Sequence, residues 1–116
     1  MKIKSKIWIE TEEGILIGEG RVQLLKMIDN TGSLSKAAKA LDMSYQKAWR
    51  LMDSSNKHTK QALIITSIGG KKGGGTTLTT YGKQLVNTFE SINKECWSFL
   101  DKELDKHVKS LKNNEI

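Results

Sequence analysis

The chain has 116 residues, of which 37% are hydrophobic and 28% are charged, and this size and composition fit one domain with a modest core. Its formal net charge of +6 at pH 7 favours a polyanionic partner, and its single cysteine, Cys96, excludes an intrachain disulfide. Neither the apolar runs nor the start of the chain has the pattern of a membrane span or a secretory signal, so we expect a cytoplasmic protein with no membrane partner.

The first part of the chain predicts a β-hairpin followed by a helix. Apolar residues alternate with polar ones along residues 2–18, and Gly14 marks the turn between the two strands. From Gly20 the spacing of the apolar residues becomes helical and continues to Asn30-Thr31-Gly32, which is a typical helix end. We therefore expect a hairpin over 2–18 and a helix over 20–31.

Two shorter helices are predicted next, over residues 34–41 and 44–58. The first begins near Ser33 or Ser35, because either side chain can accept a hydrogen bond from a free backbone amide at a helix start. Ser44 is the corresponding cap of the second helix. The short turn between the two helices predicts that they cross steeply.

This pair of helices has the residue pattern of a helix-turn-helix. Ala38 and Ala48 are small enough for the helices to approach closely, and Met43 fills the turn. The polar side chains at the front of the second helix then point away from the core, as entry into a major groove requires. Gln46 can pair with adenine and Arg50 with guanine. The predicted reading residues are Ser44, Tyr45, Gln46, Lys47 and Arg50, and the predicted phosphate contacts are Ser33, Ser35 and Lys36.

Trp49 lies between these polar residues and has two interpretations. Its large apolar ring can pack between the helix and a strand, and a half-buried structural role of this kind is the interpretation we favour. Alternatively, the ring can contact a thymine methyl group or a sugar of the DNA. The sequence leaves both open.

A second hairpin is predicted over residues 63–79, with a glycine-rich basic loop between its strands. The loop does not have the spacing of a nucleotide-binding P-loop, because its lysines precede the glycines and a strand follows. It can be a flexible connection or a wing whose glycines let the backbone approach DNA. We prefer the wing, with DNA contacts from Lys71, Lys72, Gly73 and Gly74.

One long helix is predicted over residues 81–112. Its apolar residues recur every three or four positions, and this stripe is longer than a small domain needs for its own core. The helix can simply cover the core, but a second copy of the chain is the simplest partner for its far half. A homodimer would also place two reading helices on successive turns of the duplex. The predicted interface residues are Leu85, Phe89, Ile92, Cys96, Phe99, Leu100, Leu104 and Val108.

The positive charge is concentrated in the region of the predicted helix-turn-helix. Residues 36–72 contain eight basic and two acidic residues, whereas residues 1–35 and 81–116 are each balanced. A solvated lysine-rich face would give the same counts, but a polyanion such as nucleic acid also fits. Together the elements predict a mainly α winged helix-turn-helix with small β-hairpins, in a single structural domain with DNA binding over 1–80 and dimerisation over 81–112.

The stretch from Gly20 to Gly82 resembles the DNA-binding domain of the ModE-type molybdate-responsive regulators and, more distantly, that of the LysR-type regulators. The resemblance implies a winged helix, a dimer built through the terminal helices, and DNA reading by residues 44–50. The family turn usually has glycine where this chain has Asp42, and aspartate tolerates the left-handed conformation better than most residues do. The segments that carry the resemblance are 32–38 (GSLSKAA), 43–49 (MSYQKAW), 69–75 (GGKKGGG) and 78–82 (LTTYG).

Full-length ModE proteins also carry molybdate-binding domains. Nothing in this chain resembles an oxyanion pocket, so we expect no cofactor and no molybdate binding from this chain alone. Paired carboxylates, a nucleophile–base pair and a metal-ligand cluster are all lacking, so an enzyme is not expected. The predicted function is a sequence-specific transcriptional regulator that binds double-stranded DNA. The alternative is a winged-helix module for protein interaction, or an accessory subunit of a regulator that does not itself read DNA.

Overall fold

The computed structural model describes residues 1–67 and 75–113. Its first elements are an antiparallel hairpin of β1 (Trp8–Thr11) and β2 (Gly14–Gly18), followed by α1 (Glu19–Thr31), α2 (Leu34–Ala40) and α3 (Tyr45–Lys57). A second antiparallel hairpin of β3 (Ile64–Ser67) and β4 (Gly75–Leu78) precedes the long helix α4 (Thr80–Asn113). The predicted fold class, a mainly α winged helix-turn-helix with small hairpins, is confirmed.

The hydrophobic core forms around α1, which packs against the three other helices and against β2 and β4. Burying aliphatic side chains of this kind contributes about 1.5–3 kcal/mol each, so α1 supplies much of the stability of the domain. Its buried residues are Val22, Leu24, Leu25 and Ile28, and they meet Ala37 and Ala38 of α2, Ala48 and Met52 of α3, and Leu85, Val86 and Phe89 of α4.

Arg21 and Ser55 attach the first hairpin to the helices. The buried Ser55 Oγ donates to the Leu16 carbonyl at 2.7 Å and accepts from Arg21 Nη1 at 2.8 Å, and Arg21 also donates to the Ile15 carbonyl at 2.7 Å. Burial lowers the pKa of the Arg21 guanidinium, although an arginine stays protonated in proteins. Because Ser55 lies on α3, this network fixes the orientation of α3 on the domain.

The turn between α2 and α3 depends on a left-handed residue at Asp42. Asp42 has a φ of 57°, and it is the only non-glycine residue with a positive φ among the residues that the structure describes. Its N–H donates to the Lys39 carbonyl at 3.1 Å, and the N–H of Met43 donates to the Ala38 carbonyl at 3.0 Å. Aspartate thus adopts the left-handed conformation at this turn, as the sequence predicts.

Asp42→Val is expected to lower the free energy of unfolding by about 1 kcal/mol, because a β-branched side chain clashes with the backbone in the left-handed conformation. Asp42→Gly should be at least as stable as the wild type, since glycine adopts this conformation without a steric cost. Denaturant unfolding measures both. The control is Asp29→Val on the exposed side of α1, where the change should stay under about 0.7 kcal/mol. Equal stability of the two Asp42 variants would contradict the strain at this turn.

The first hairpin is shorter than predicted. Its strands begin only at Trp8, although the sequence predicts them from residue 2. The preceding residues lie beside α4, where Ser5 Oγ is 3.6 Å from Cys96 Sγ, and Met1 to Lys4 share a cavity with Trp97 and Leu104. This segment therefore lies beside a helix and not beside a neighbouring strand, and its Ile3 side chain remains 38% exposed.

The long helix α4 is packed on the domain only at its start. Its buried residues are Gly82, Leu85, Val86 and Phe89, and no later residue of α4 is buried among those described. Leu85 and Phe89 are thus buried in the core of the single chain, and the predicted interface residues that follow them on α4 are exposed or partly exposed. The helix has 34 residues and is about 51 Å long, so its far half extends beyond the core.

Candidate nucleic-acid interface

Helix α3 has one face in the core and the opposite face in solvent. Ala48, Met52 and Ser55 are buried at the four- and three-residue spacing that defines one side of a helix. The predicted reading residues on the helix are all exposed. Tyr45, Gln46, Trp49 and Arg50 line one surface groove of ≈ 480 Å³, whereas Lys47 is exposed outside this groove.

Ser33 and Ser44 cap α2 and α3. Ser33 Oγ accepts from the Lys36 N–H at 3.1 Å, and Ser44 Oγ accepts from the Lys47 N–H at 3.1 Å. The structure thus selects Ser33 and not Ser35 as the cap of α2. Because the cap uses each hydroxyl as an acceptor, its hydrogen stays available to a phosphate oxygen. Ser35 is exposed in the first turn of α2.

Four cations of α2 and α3 are exposed and unpaired. In residues 1–67 and 75–113, Lys36, Lys39, Lys47 and Arg50 form no ion pair with a carboxylate, whereas Lys57 binds Asp53 at 2.9 Å. The unpaired charges are available to an anionic partner. The sequence analysis missed Lys39, which lies three residues after Lys36 and therefore near it on the helix surface.

The second hairpin lies next to the start of α2. The Thr76 N–H donates to the Gly32 carbonyl at 2.9 Å, and Gly32 directly precedes the capping residue Ser33. The strands pair from Ile64 with Leu78 to Ser67 with Gly75. The predicted wing contacts Lys71, Lys72, Gly73 and Gly74 lie outside the described residues.

The far half of α4 has apolar side chains that the domain does not bury. Ile92 is 50% exposed and Phe99 is 61% exposed. The other predicted interface residues, Cys96, Leu100, Leu104 and Val108, are partly buried. We name this set of six residues the α4 face. It lies on the part of α4 that follows the core residues.

The described residues have neither a metal-binding cluster nor a helix that could span a membrane. No group of three or more histidine, cysteine, aspartate or glutamate side chains in residues 1–67 and 75–113 could hold a metal ion. Within the same residues, no helix is long and apolar enough to span a bilayer. No buried side-chain nitrogen or oxygen of this part of the chain lacks a hydrogen-bond partner.

Three helices, a steep turn at Asp42 and a following β-hairpin define a winged helix-turn-helix protein. Solved structures of this class are similar to the chain. MepR of Staphylococcus aureus, a transcription regulator of the multidrug efflux pump MepA, matches with a TM-score of 0.60 and 23% identity over 84% of this chain and 74% of its own. Its complex with DNA matches with a TM-score of 0.51 over 88% and 81%.

Within this class the chain is similar to ModE proteins, which confirms the resemblance found in the sequence. It is 34% identical over 98 residues to the molybdenum transport protein ModE of Azotobacter vinelandii, and 37% identical over 86 residues to the transcriptional regulator ModE of Haemophilus influenzae. These matches cover 84% and 74% of this chain but 36% and 34% of the relatives, so the chain spans about a third of their length. No protein-family model matches the chain.

Proposed function

We propose that the chain is a sequence-specific regulator of transcription that binds double-stranded DNA through α3 and the neighbouring wing. The observation that carries the proposal is the solvent face of α3, where Gln46 and Arg50 line one groove and the cations Lys47 and Arg50 are exposed and unpaired. The amide of Gln46 can bind adenine and the guanidinium of Arg50 can bind guanine, each with two hydrogen bonds. A related protein, ModE of Escherichia coli K12, is named a DNA-binding transcriptional dual regulator and is 31% identical over 92 residues.

The contacts divide into two kinds. Gln46, Arg50 and their neighbours on the groove would read bases, whereas Lys36, Lys39, Lys47 and the hydroxyls of Ser33, Ser35 and Ser44 would bind phosphates and set the register. Lys71, Lys72, Gly73 and Gly74 would add contacts from the wing. A DNA partner in a bacterial cell implies the cytoplasm, so this location is part of the same proposal.

We further propose that the protein binds DNA as a homodimer through the α4 face. The exposed Ile92 and Phe99 support this, because they lie two turns apart on the same face of the helix, and exposed large apolar side chains are stabilised when a partner covers them. A two-fold axis along α4 would relate two α3 helices, and the site on DNA would then have two-fold symmetry.

Replacing Gln46 or Arg50 with alanine should relax base preference at one position of the site by about 1–3 kcal/mol, because a bidentate hydrogen-bonded contact with one base is lost. The measurement is selection of bound duplexes from a random pool, followed by binding titrations on single-base variants of the selected site. Lys36→Ala is the control. It should weaken binding to all duplexes alike and reduce the slope of log K against log salt by about 1.

An Arg50→Ala variant that loses affinity equally on all sequences would contradict the reading role. Absence of binding to any duplex at low salt would contradict the function as a whole. The outcome would then favour the second candidate function, a winged-helix module for protein interaction. The specific observation in favour of that module is that Tyr45 and Trp49 expose aromatic rings on α3.

A further inference from the structure

Helix α3 exposes two aromatic side chains next to its polar reading residues. Tyr45 is 54% exposed and Trp49 is 50% exposed, and they are four residues apart, so they lie on adjacent turns of the same face. Trp49 is therefore not a fully packed core residue. The interpretation favoured from the sequence, a half-buried structural ring, fits this exposure, but it assigns no role to the exposed half of the side chain.

The other two tryptophans have surroundings of a different kind. Trp8 is exposed to a similar extent, but its Nε1 donates to Glu10 Oε1 at 2.6 Å. Trp97 lies on α4 against the N-terminal segment, in a cavity with Ile3 and Leu104. Trp49 makes no hydrogen bond within the described residues, and its groove is lined by Tyr45, Gln46 and Arg50. Its exposed apolar surface is therefore directed at whatever Gln46 and Arg50 contact.

The helix period fixes which bases Trp49 can reach. Trp49 follows Gln46 by three residues, so its ring lies about 60° from Gln46 around the helix, on the side away from Arg50 and next to Tyr45. When Gln46 and Arg50 bind base edges, the ring is therefore directed at the same or an adjacent base pair. The major groove presents one apolar group for such a ring, which is the C5-methyl of thymine.

We propose that Trp49, with Tyr45 beside it, recognises thymine methyl groups in the major groove. The inference rests on the proposed function and adds a specificity-determining pair to it. Gln46 is the complementary element, because an amide that binds adenine selects an A·T pair, and a neighbouring A·T pair supplies the methyl group for the ring. The recognised half-site therefore contains adjacent A·T pairs with thymine in a fixed position.

The test removes the methyl group and nothing else. The probe is a duplex selected from a random pool with the wild-type protein, in which each thymine is replaced in turn by deoxyuridine. Burial of one methyl group corresponds to about a fourfold change in affinity, so wild-type binding should weaken about fourfold at each contacted thymine. Trp49→Ala should bind the thymine and deoxyuridine duplexes equally at those positions. Trp49→Phe, which keeps an apolar ring, should retain part of the difference.

Two controls separate this role from a structural one. Trp8→Ala removes an equally exposed indole on another face and should keep the full thymine preference. Thermal unfolding of each variant establishes that the domain is folded. Equal sensitivity to deoxyuridine in wild type and Trp49→Ala, or no sensitivity in either, would overturn the inference while leaving DNA binding in place. Failure of the wild type to bind any duplex would instead remove the proposed function, and the inference with it.

Discussion

Gly82→Ala is expected to lower the free energy of unfolding by about 2 kcal/mol, although alanine is the better helix former. A Cβ atom at residue 82 would lie 2.3 Å from the Leu63 carbonyl oxygen, a distance at which backbone must shift. Overpacking of this kind costs about 1–3 kcal/mol and occasionally more, whereas the exchange of glycine for alanine in a helix returns about 1 kcal/mol. Because the clash at 2.3 Å is with backbone, the steric cost lies at the upper end of this range, at about 3 kcal/mol, and a net loss of about 2 kcal/mol remains.

The Leu63 carbonyl cannot move away without losing other bonds. It accepts from the Thr79 N–H at 2.9 Å and from Thr79 Oγ1 at 3.2 Å, and these bonds hold the start of α4 against β3. The side-chain oxygen of Thr79 also accepts from the Gly82 N–H at 2.9 Å. A shift at residue 82 therefore strains both the cap of α4 and the strand that leads into the wing.

Denaturant unfolding measures this effect, and Gly20→Ala is the matched control. Gly20 is also a helical glycine, but a Cβ atom there would have no atom within 4 Å. Gly20→Ala should therefore leave the stability unchanged or raise it by less than about 1 kcal/mol. A Gly82→Ala protein as stable as the wild type would show that α4 does not approach β3 as closely as described.

The double variant Phe99→Glu with Leu104→Glu is expected to be monomeric. Both residues belong to the α4 face, and burying two carboxylates in an apolar interface without partners costs more than such an interface provides. The molar mass in solution, measured by light scattering, should fall to that of one chain. Affinity for a two-fold symmetric duplex should fall about a hundredfold or more, because the two reading helices no longer bind as one unit.

The control for this variant is Lys102→Glu. It changes the net charge by the same amount, −2, and lies on an exposed position of α4 outside the α4 face. It should remain dimeric and differ from the wild type only in the salt dependence of DNA binding. A double variant that stays dimeric and retains its helix content would contradict the proposed interface.

The local features that were predicted correctly from the sequence depend on single residues and their nearest backbone atoms. The caps at Ser33 and Ser44, the helix end at Gly32 and the left-handed turn at Asp42 depend on one residue and its nearest backbone. Such features are visible without knowledge of the tertiary fold. The burial of Ala48, between exposed neighbours, likewise follows from the helix period alone.

The features that the sequence did not predict depend on contacts between distant elements. The apolar period of α4 continues from Leu85 into its far half, so the period cannot show that the core ends at Phe89. The alternation before Trp8 fits a strand, but that segment lies beside α4 instead. Trp49 lies between buried Ala48 and exposed Arg50, where the helix period does not decide between core and solvent.

The bond between the Thr76 N–H and the Gly32 carbonyl involves no side chain. The bond therefore depends on the backbone positions of residues 32 and 76, although the Thr76 side chain is itself buried. The steric constraint falls on Gly32 and Gly75, two glycines that are close in space. Gly32 has a φ of 69°, and a Cβ atom at Gly75 would lie 3.1 Å from the Gly32 carbonyl oxygen. The spacing between the second hairpin and the start of α2 is thus set by backbone atoms, at two positions where an added side chain would be strained or crowded.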